Sequence, residues 1–139
     1  MLDLLRLGRM TANPELEQKA SEIGRAFFNN VGKSPAAYTQ LMIAVDFSVG
    51  PSDEVVIAGD VQSEDTKKML HVIRSKFIPD KIVIFLPLGT DLSEIMSIAP
   101  FTRHQLNVDN KATAYFCVNY NCKTPATDIN NMLSLLNFR

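Results

Sequence analysis

Cys117 and Cys122 stand at C-x-x-x-x-C spacing and are the chain's two thiols. Such a pair admits a redox couple or half of a metal site. A thioredoxin-type couple has two intervening residues and opens a helix, whose N-terminus lowers the thiol pKa. Cys117 instead lies in the apolar run 113–118, which reads as a strand. A metal needs about four ligands, and the two histidines, His71 and His104, have no ligand spacing. A plainer reading competes with both. Buried thiols behave as small hydrophobes, which favours one core cysteine and one loop cysteine. A redox role for Cys117 and Cys122 requires Cα atoms within about 7 Å of each other.

The second candidate is Gly59-Asp60, just past the carboxyl end of an apolar stretch. Open α/β sheets bind ligands at that edge, where strand order switches. With strand order 2-1-3, Asp60 falls near Asn119 and Tyr120, which makes these three the candidate ligand-binding residues. The plain alternative is a turn whose acid caps or solvates the next helix. Neither Gly-x-Gly-x-x-Gly nor a phosphate loop accompanies it. Thr124-Pro125-Ala126-Thr127-Asp128 admits an anion at a helix start or, more plainly, a cap. Ser48 and Ser52 sit in loops without the strand-to-helix setting of a nucleophile. No helix pairs carboxylates or histidines in a metal-binding pattern, so the residues nominate no catalytic group, no metal and no cofactor.

These residues hang on an alternation of strands and helices. Val55-Val56-Ile57-Ala58, bounded by Gly50-Pro51 and Gly59-Asp60, reads as a strand buried on both faces. Ser63-Glu64-Asp65 opens a helix with Met69, Leu70, Ile73 and Phe77 inward, running to about Phe77. Ile82–Leu86 is a second buried strand, completing a βαβ unit. Asp91 and Glu94 have capping-box spacing and open a short helix with Leu92, Ile95 and Met96 inside. Pro100 ends it, and residues 101–110 read as loop. Thr113–Val118 is the third strand, and Thr127 caps a final helix with Ile129, Met132, Leu133 and Leu136 buried. The expected sheet is three-stranded and parallel, with the strand at 54–58 in the centre.

Ahead of the sheet the chain is helical. Residues 2–10 carry Leu4, Leu7 and Met10 on one side. Asn13-Pro14-Glu15 supplies a cap, a first-turn proline and an acid. Leu16, Ala20, Ile23, Phe27 and Val31 follow as a stripe at helical spacing. Ser34-Pro35 starts another helix with Tyr38, Leu41, Met42 and Val45 buried, antiparallel to its predecessor. The fold class is therefore α/β. A helical segment over 1–49, built around a helical hairpin, precedes a βαβαβα segment over 50–139. The hairpin is expected to cover one face of a Rossmann-like, three-layer arrangement.

At 139 residues, 46% hydrophobic and 21% charged, the chain is ordinarily globular. A formal net charge of -1 argues against a nucleic-acid surface, which carries a basic excess. No apolar run approaches the ~20 residues of a membrane span. The start has an acid at Asp3 and neither a basic n-region nor a cleavage site. Together with the low cysteine count, this makes a cytoplasmic, reducing compartment the default. Leu2, Leu4, Leu5 and Leu7 read as helix with no cap before them, as if the helix were cut within a longer chain.

Three stretches, Leu4–Leu7, Glu54–Asp60 with Asp65-Thr66, and Ala112–Asp128, resemble in order the C-terminal end of the YyaL-like / spermatogenesis-associated protein 20 family. The Ala-Tyr-x-Cys run followed by Cys-x-x-Pro-x-Thr-Asp is the most specific, and 87–110 the least. The resemblance implies a parent with an N-terminal thioredoxin-like domain and a helical toroid of the six-hairpin glycosidase kind. This chain matches the toroid's last helices and a terminal α/β segment. It implies a structural or interaction role without stand-alone catalysis. The alternative is part of a carbohydrate-active epimerase or hydrolase whose centre lies upstream. The expected partners are the remainder of the parent chain, or a second copy held through exposed N-terminal helices.

Overall fold

The computed structural model describes residues 1–136, which fall into two compact units divided after Ser52. In the first, α1 (Leu2–Thr11), α2 (Pro14–Lys33) and α3 (Thr39–Val49) are joined by a left-handed Ala12 and a 3-10 turn over Pro35–Tyr38. Asn13 Oδ1 accepts from the Glu15 N–H at 3.0 Å, the expected cap of α2. Leu5, Ala20, Ala44 and Phe47 are the buried apolar residues, and the Arg6 guanidinium stands 5.9 Å over the Phe47 ring. The buried face of α3 is thus Ala44 and Phe47, not the expected Met42 side. The 3-10 turn occupies Pro35–Tyr38, so the α-helix begins later and in another phase.

The second unit orders β1 (Asp53–Asp60), α4 (Glu64–Ser75), β2 (Lys81–Leu88), α5 (Ser93–Ile98), a 3-10 turn over Pro100–His104, β3 (Thr113–Val118), β4 (Asn121–Cys122) and α6 (Ile129–Leu136). The sheet order is β2-β1-β3-β4, which keeps β1 between β2 and β3 as expected. β2 runs parallel to β1 with Val56 opposite Ile84, but β3 runs antiparallel, with Glu54 opposite Cys117 and Ala58 opposite Thr113. The sheet is therefore four-stranded and mixed with one parallel pair, not the three-stranded parallel, Rossmann-like sheet read from the sequence. The connection, residues 89–112, contains the six-residue α5 and a 3-10 turn but no helix as long as the strands. It returns the chain beside the carboxyl end of β1, where Thr113 pairs with Ala58.

Val55 and Ile57 point into a core with Ala114 and Phe116 of β3, Met69 and Ile73 of α4, and Met132 of α6. Phe77, expected on this face, is 92% exposed. α4 stops at Ser75 and Lys76 is extended, so the helical phase is lost before Phe77. The Lys81 ammonium donates to the Ile73 and Lys76 carbonyls at that end. The segment expected as loop, 101–110, contains the 3-10 turn and a tight reversal. There Asp109 and Asn110 both have positive φ, between the bridged pair Val108 and Lys111.

Gly59 fixes how α4 sits on the strand. A Cβ there would lie 2.3 Å from Thr66 Oγ1 and 3.3 Å from Ala112 Cβ. Gly59→Ala should destabilise the fold by about 1–3 kcal/mol. Adding Thr66→Ala should recover part of the loss, because the clashing side chain is gone. Urea unfolding of the single and double variants checks both.

Candidate functional site

Two polar sites flank β1, one at each end. At the carboxyl end, a cleft of about 250 Å³ is lined by Gly59, Asp60, Ser63, Asp65, Thr66 and Lys111, among others. Asp65 is its most connected member. Its Oδ2 accepts from the Ala112 N–H at 2.8 Å, and its Oδ1 accepts from the Thr66 N–H at 2.8 Å and from the Ser63 hydroxyl. These bonds, the Ser63 hydroxyl first and the Ala112 amide next, hold the carboxyl below the usual aspartate range. Ser63, expected as the helix cap, acts through Asp65 instead. Asp60 Oδ1 accepts from the Gln62 N–H at 2.7 Å, the Asx turn of the plain reading. Thr66 Oγ1 is buried without a hydrogen-bond partner.

At the amino end of β1 the chain reverses between β3 and β4 through Asn119 (φ 50°) and Tyr120 (φ 62°). Two successive left-handed residues make the two-residue turn that suits the twist of a hairpin. Asp60 is therefore not near Asn119 and Tyr120. Val118 pairs with Asp53, which puts the turn seven strand positions from Asp60, about 23 Å away. The expected cluster assumed a parallel third strand, and the antiparallel register dissolves it.

The same hairpin joins the two cysteines. Cys117 and Cys122 face each other across β3 and β4 and form a disulfide, so the reading as two independent thiols is corrected. Lys123 N–H donates to the Phe116 carbonyl at 2.8 Å, which makes the cysteines the adjacent non-hydrogen-bonded pair, where side chains come closest. Cys117 is fully buried and Cys122 exposed. The buried Gln105 amide reaches both sulfurs, with Nε2 at 3.2 Å from Cys122 Sγ and 3.5 Å from Cys117 Sγ. Its backbone is set by the 3-10 turn, where its N–H donates to the Thr102 carbonyl at 2.9 Å.

Glu54 completes the site. It has no exposed surface, stands directly opposite Cys117, and its Oε2 accepts from the Tyr120 N–H at 3.1 Å. Opposed residues of an antiparallel pair share a face with Cβ atoms about 4.5–5.5 Å apart, so Glu54 and Cys117 leave the sheet side by side. The Tyr120 ring meets Phe101 edge-on at 5.1 Å. Sequence reasoning named the cysteines, Asn119 and Tyr120 but missed Glu54 and Gln105. Glu54 is one acid ahead of an apolar run, and Gln105 sits in a segment without period. Asp128, not Thr127, caps α6, its Oδ1 accepting from the Asn131 N–H at 3.0 Å. Among the described residues no cluster of three His, Cys, Asp or Glu is placed to hold a metal. No helix among them is long and apolar enough to cross a membrane.

Architecture defines a mixed α/β unit with a cystine-closed hairpin, preceded by a three-helix unit. By sequence the chain is 31% identical over 134 residues to spermatogenesis-associated protein 20 of Homo sapiens, 31% to that of Rattus norvegicus and 29% to that of Mus musculus. Each match covers 96% of this chain. The chain is homologous to these proteins and belongs to their family, while spanning 17% of the length of each relative. No family model matches the chain, and no solved structure matches it significantly.

Asp65 yields a pH prediction. Its folded pKa lies below the unfolded value of about 3.9, so the unfolded chain takes up the proton first. The stabilisation is whole above about pH 5 and falls as acid brings the pH through the folded pKa. Asp65→Asn should unfold at lower urea than the parent at pH 7, and the gap should narrow towards pH 3. Paired urea titrations across that range check it.

Proposed function

We propose that this segment has a structural and interaction role in a longer protein of its family: its helical unit is a docking surface for further helices of the parent chain, and it has no turnover by itself. The observation that carries the reading is the apolar surface of α2 and α3. Phe28 is 74% and Val49 78% exposed, and Phe27, Met42 and Ile43 are also exposed. Between the two helices runs an apolar groove of about 270 Å³, lined by Phe28, Val31, Leu41, Met42 and Val45. Contiguous apolar surface of this kind marks a contact site. The relatives are far longer than the part matched here, which supplies a source of covering helices, and an amphipathic helix presenting anchors at i, i+3 and i+4 fits such a groove.

Without that cover the chain should pair with itself. Sedimentation velocity should show a weight-average mass rising with concentration. Phe28→Lys with Met42→Lys should lower that association at least tenfold, while leaving the circular-dichroism spectrum unchanged. A monodisperse monomer at the highest attainable concentration would sink the reading.

A further inference from the structure

We propose that the Cys117–Cys122 hairpin is a thiol–disulfide exchange centre for a partner dithiol, with Cys122 the attacked sulfur, Glu54 the proton acceptor for Cys117, and Gln105 the positioning residue. The inference concerns only the α/β unit and goes beyond the docking role. Four observations carry it. The disulfide joins an exposed and a fully buried cysteine, so an incoming thiolate meets one sulfur and not the other. The cystine ties down β4, a two-residue edge strand. A fully buried carboxylate lies opposite the buried cysteine in register. Finally, a buried amide N–H is within reach of both sulfurs.

The electrons move in two steps. A thiolate of the partner attacks Cys122 Sγ, the S–S bond breaks, and the pair departs on Cys117 Sγ as thiolate, to which Gln105 Nε2 donates. A buried thiolate is otherwise unfavourable, and a hydrogen bond to a charged group is worth more than one to a neutral group. The partner's second thiolate then attacks its own sulfur in the mixed disulfide and releases Cys122 as thiolate. The partner leaves as a disulfide, and Cys117 and Cys122 each take up one proton, so two electrons and two protons enter the hairpin. In the reverse direction Cys117 gives its proton to the Glu54 carboxylate, and the resulting thiolate attacks Cys122 Sγ of the mixed disulfide and expels the partner. Burial keeps bulk solvent from taking that proton directly, which is the role given to Glu54.

The test uses the whole chain and dithiothreitol as the dithiol, with free thiols trapped by alkylation and read by mass. The folded chain should lose its disulfide without unfolding and recover it with oxidised dithiothreitol. Cys117→Ser should form a mixed disulfide at Cys122 with oxidised glutathione, releasing one reduced glutathione, whereas Cys122→Ser should leave Cys117 unreactive until urea is added. Glu54→Gln keeps the shape and an acceptor for the Tyr120 N–H. With oxidised glutathione as the oxidant, it should slow re-oxidation about tenfold or more and cause the glutathione adduct at Cys122 to accumulate, a signature that loss of packing would not produce. Gln105→Met should slow reduction about tenfold, the size of one hydrogen bond to a charged group, and Gln105→Glu should slow it further. The proposal is overturned if the cystine is reduced only on unfolding, if Cys117 is captured first, or if Glu54→Gln re-oxidises at the parent rate with no adduct.

Discussion

Residues 55–58 have no exposed side-chain surface and sit on a strand paired along both edges. A strand in that position must have every backbone group hydrogen-bonded and both faces free of unpaired charge. β2 satisfies one edge and β3 the other, while α4 and α6 cover the face of Val55 and Ile57. Glu54 is the exception that organises its end of the sheet. A carboxylate with no exposure needs donors, and the Tyr120 N–H is one. That donor arrives because the hairpin reverses through two left-handed residues. A bulky residue at positive φ is costly, and here the Phe101 contact and the Glu54 bond hold Tyr120 in place.

The opposite end of β1 is held by backbone proximity. Gly59 lets the first turn of α4 approach until Thr66 Oγ1 stands 2.3 Å from where a Cβ would be. Asp65, one residue earlier, then reaches across to the Ala112 N–H, the last amide before β3 begins. A single carboxylate thereby fixes both the start of a helix and the entry of the antiparallel strand. The cleft beside it is the residue of that close packing, polar because its walls are a helix start and two loop segments.

Element identity was legible in the sequence wherever an apolar period was long. The three strands around Val56, Val83 and Tyr115, the βαβ unit and the cap at Asn13 all follow from local pattern. Strand order was not legible in the sequence; the preference for the strand at 54–58 in the centre agrees with the observed β2-β1-β3-β4, whose edge strand β4 was not expected. Direction was not legible either, because it depends on the path of 89–112, whose 3-10 turn and left-handed Asp109-Asn110 pair carry no hydrophobic period. Helix phase failed where a turn of another kind intervened, at Pro35–Tyr38 and after Ser75. The cysteines were named as a pair, but their bond depends on β4, two residues long, which no pattern of that length can announce. The sequence reading tied the kinship to three strands running the same way, and β3 runs against β1. That tie is corrected, while the match over 96% of the chain upholds the kinship itself.

The direction of β3 changes the chemistry of the segment more than its fold class. Had β3 run parallel to β1, Tyr120 would stand at the Asp60 end and Cys117 would lie towards the carboxyl end of the sheet. The cystine would then share its surroundings with Asp60 and Asp65, acids committed to turn and helix-start hydrogen bonds. The antiparallel register instead sets Cys117 opposite Glu54, a buried acid on the same face. It also leaves the segment before β3 free to bring Gln105 onto both sulfurs. Residues 54, 105, 117 and 122 come from four separate elements or turns, and no two of them are close enough in sequence to form a motif beyond the cysteine spacing itself. What makes them one site is register: one reversed strand places a proton acceptor, a hydrogen-bond donor and a buried sulfur on the same side of the sheet, with the other sulfur at the exposed edge.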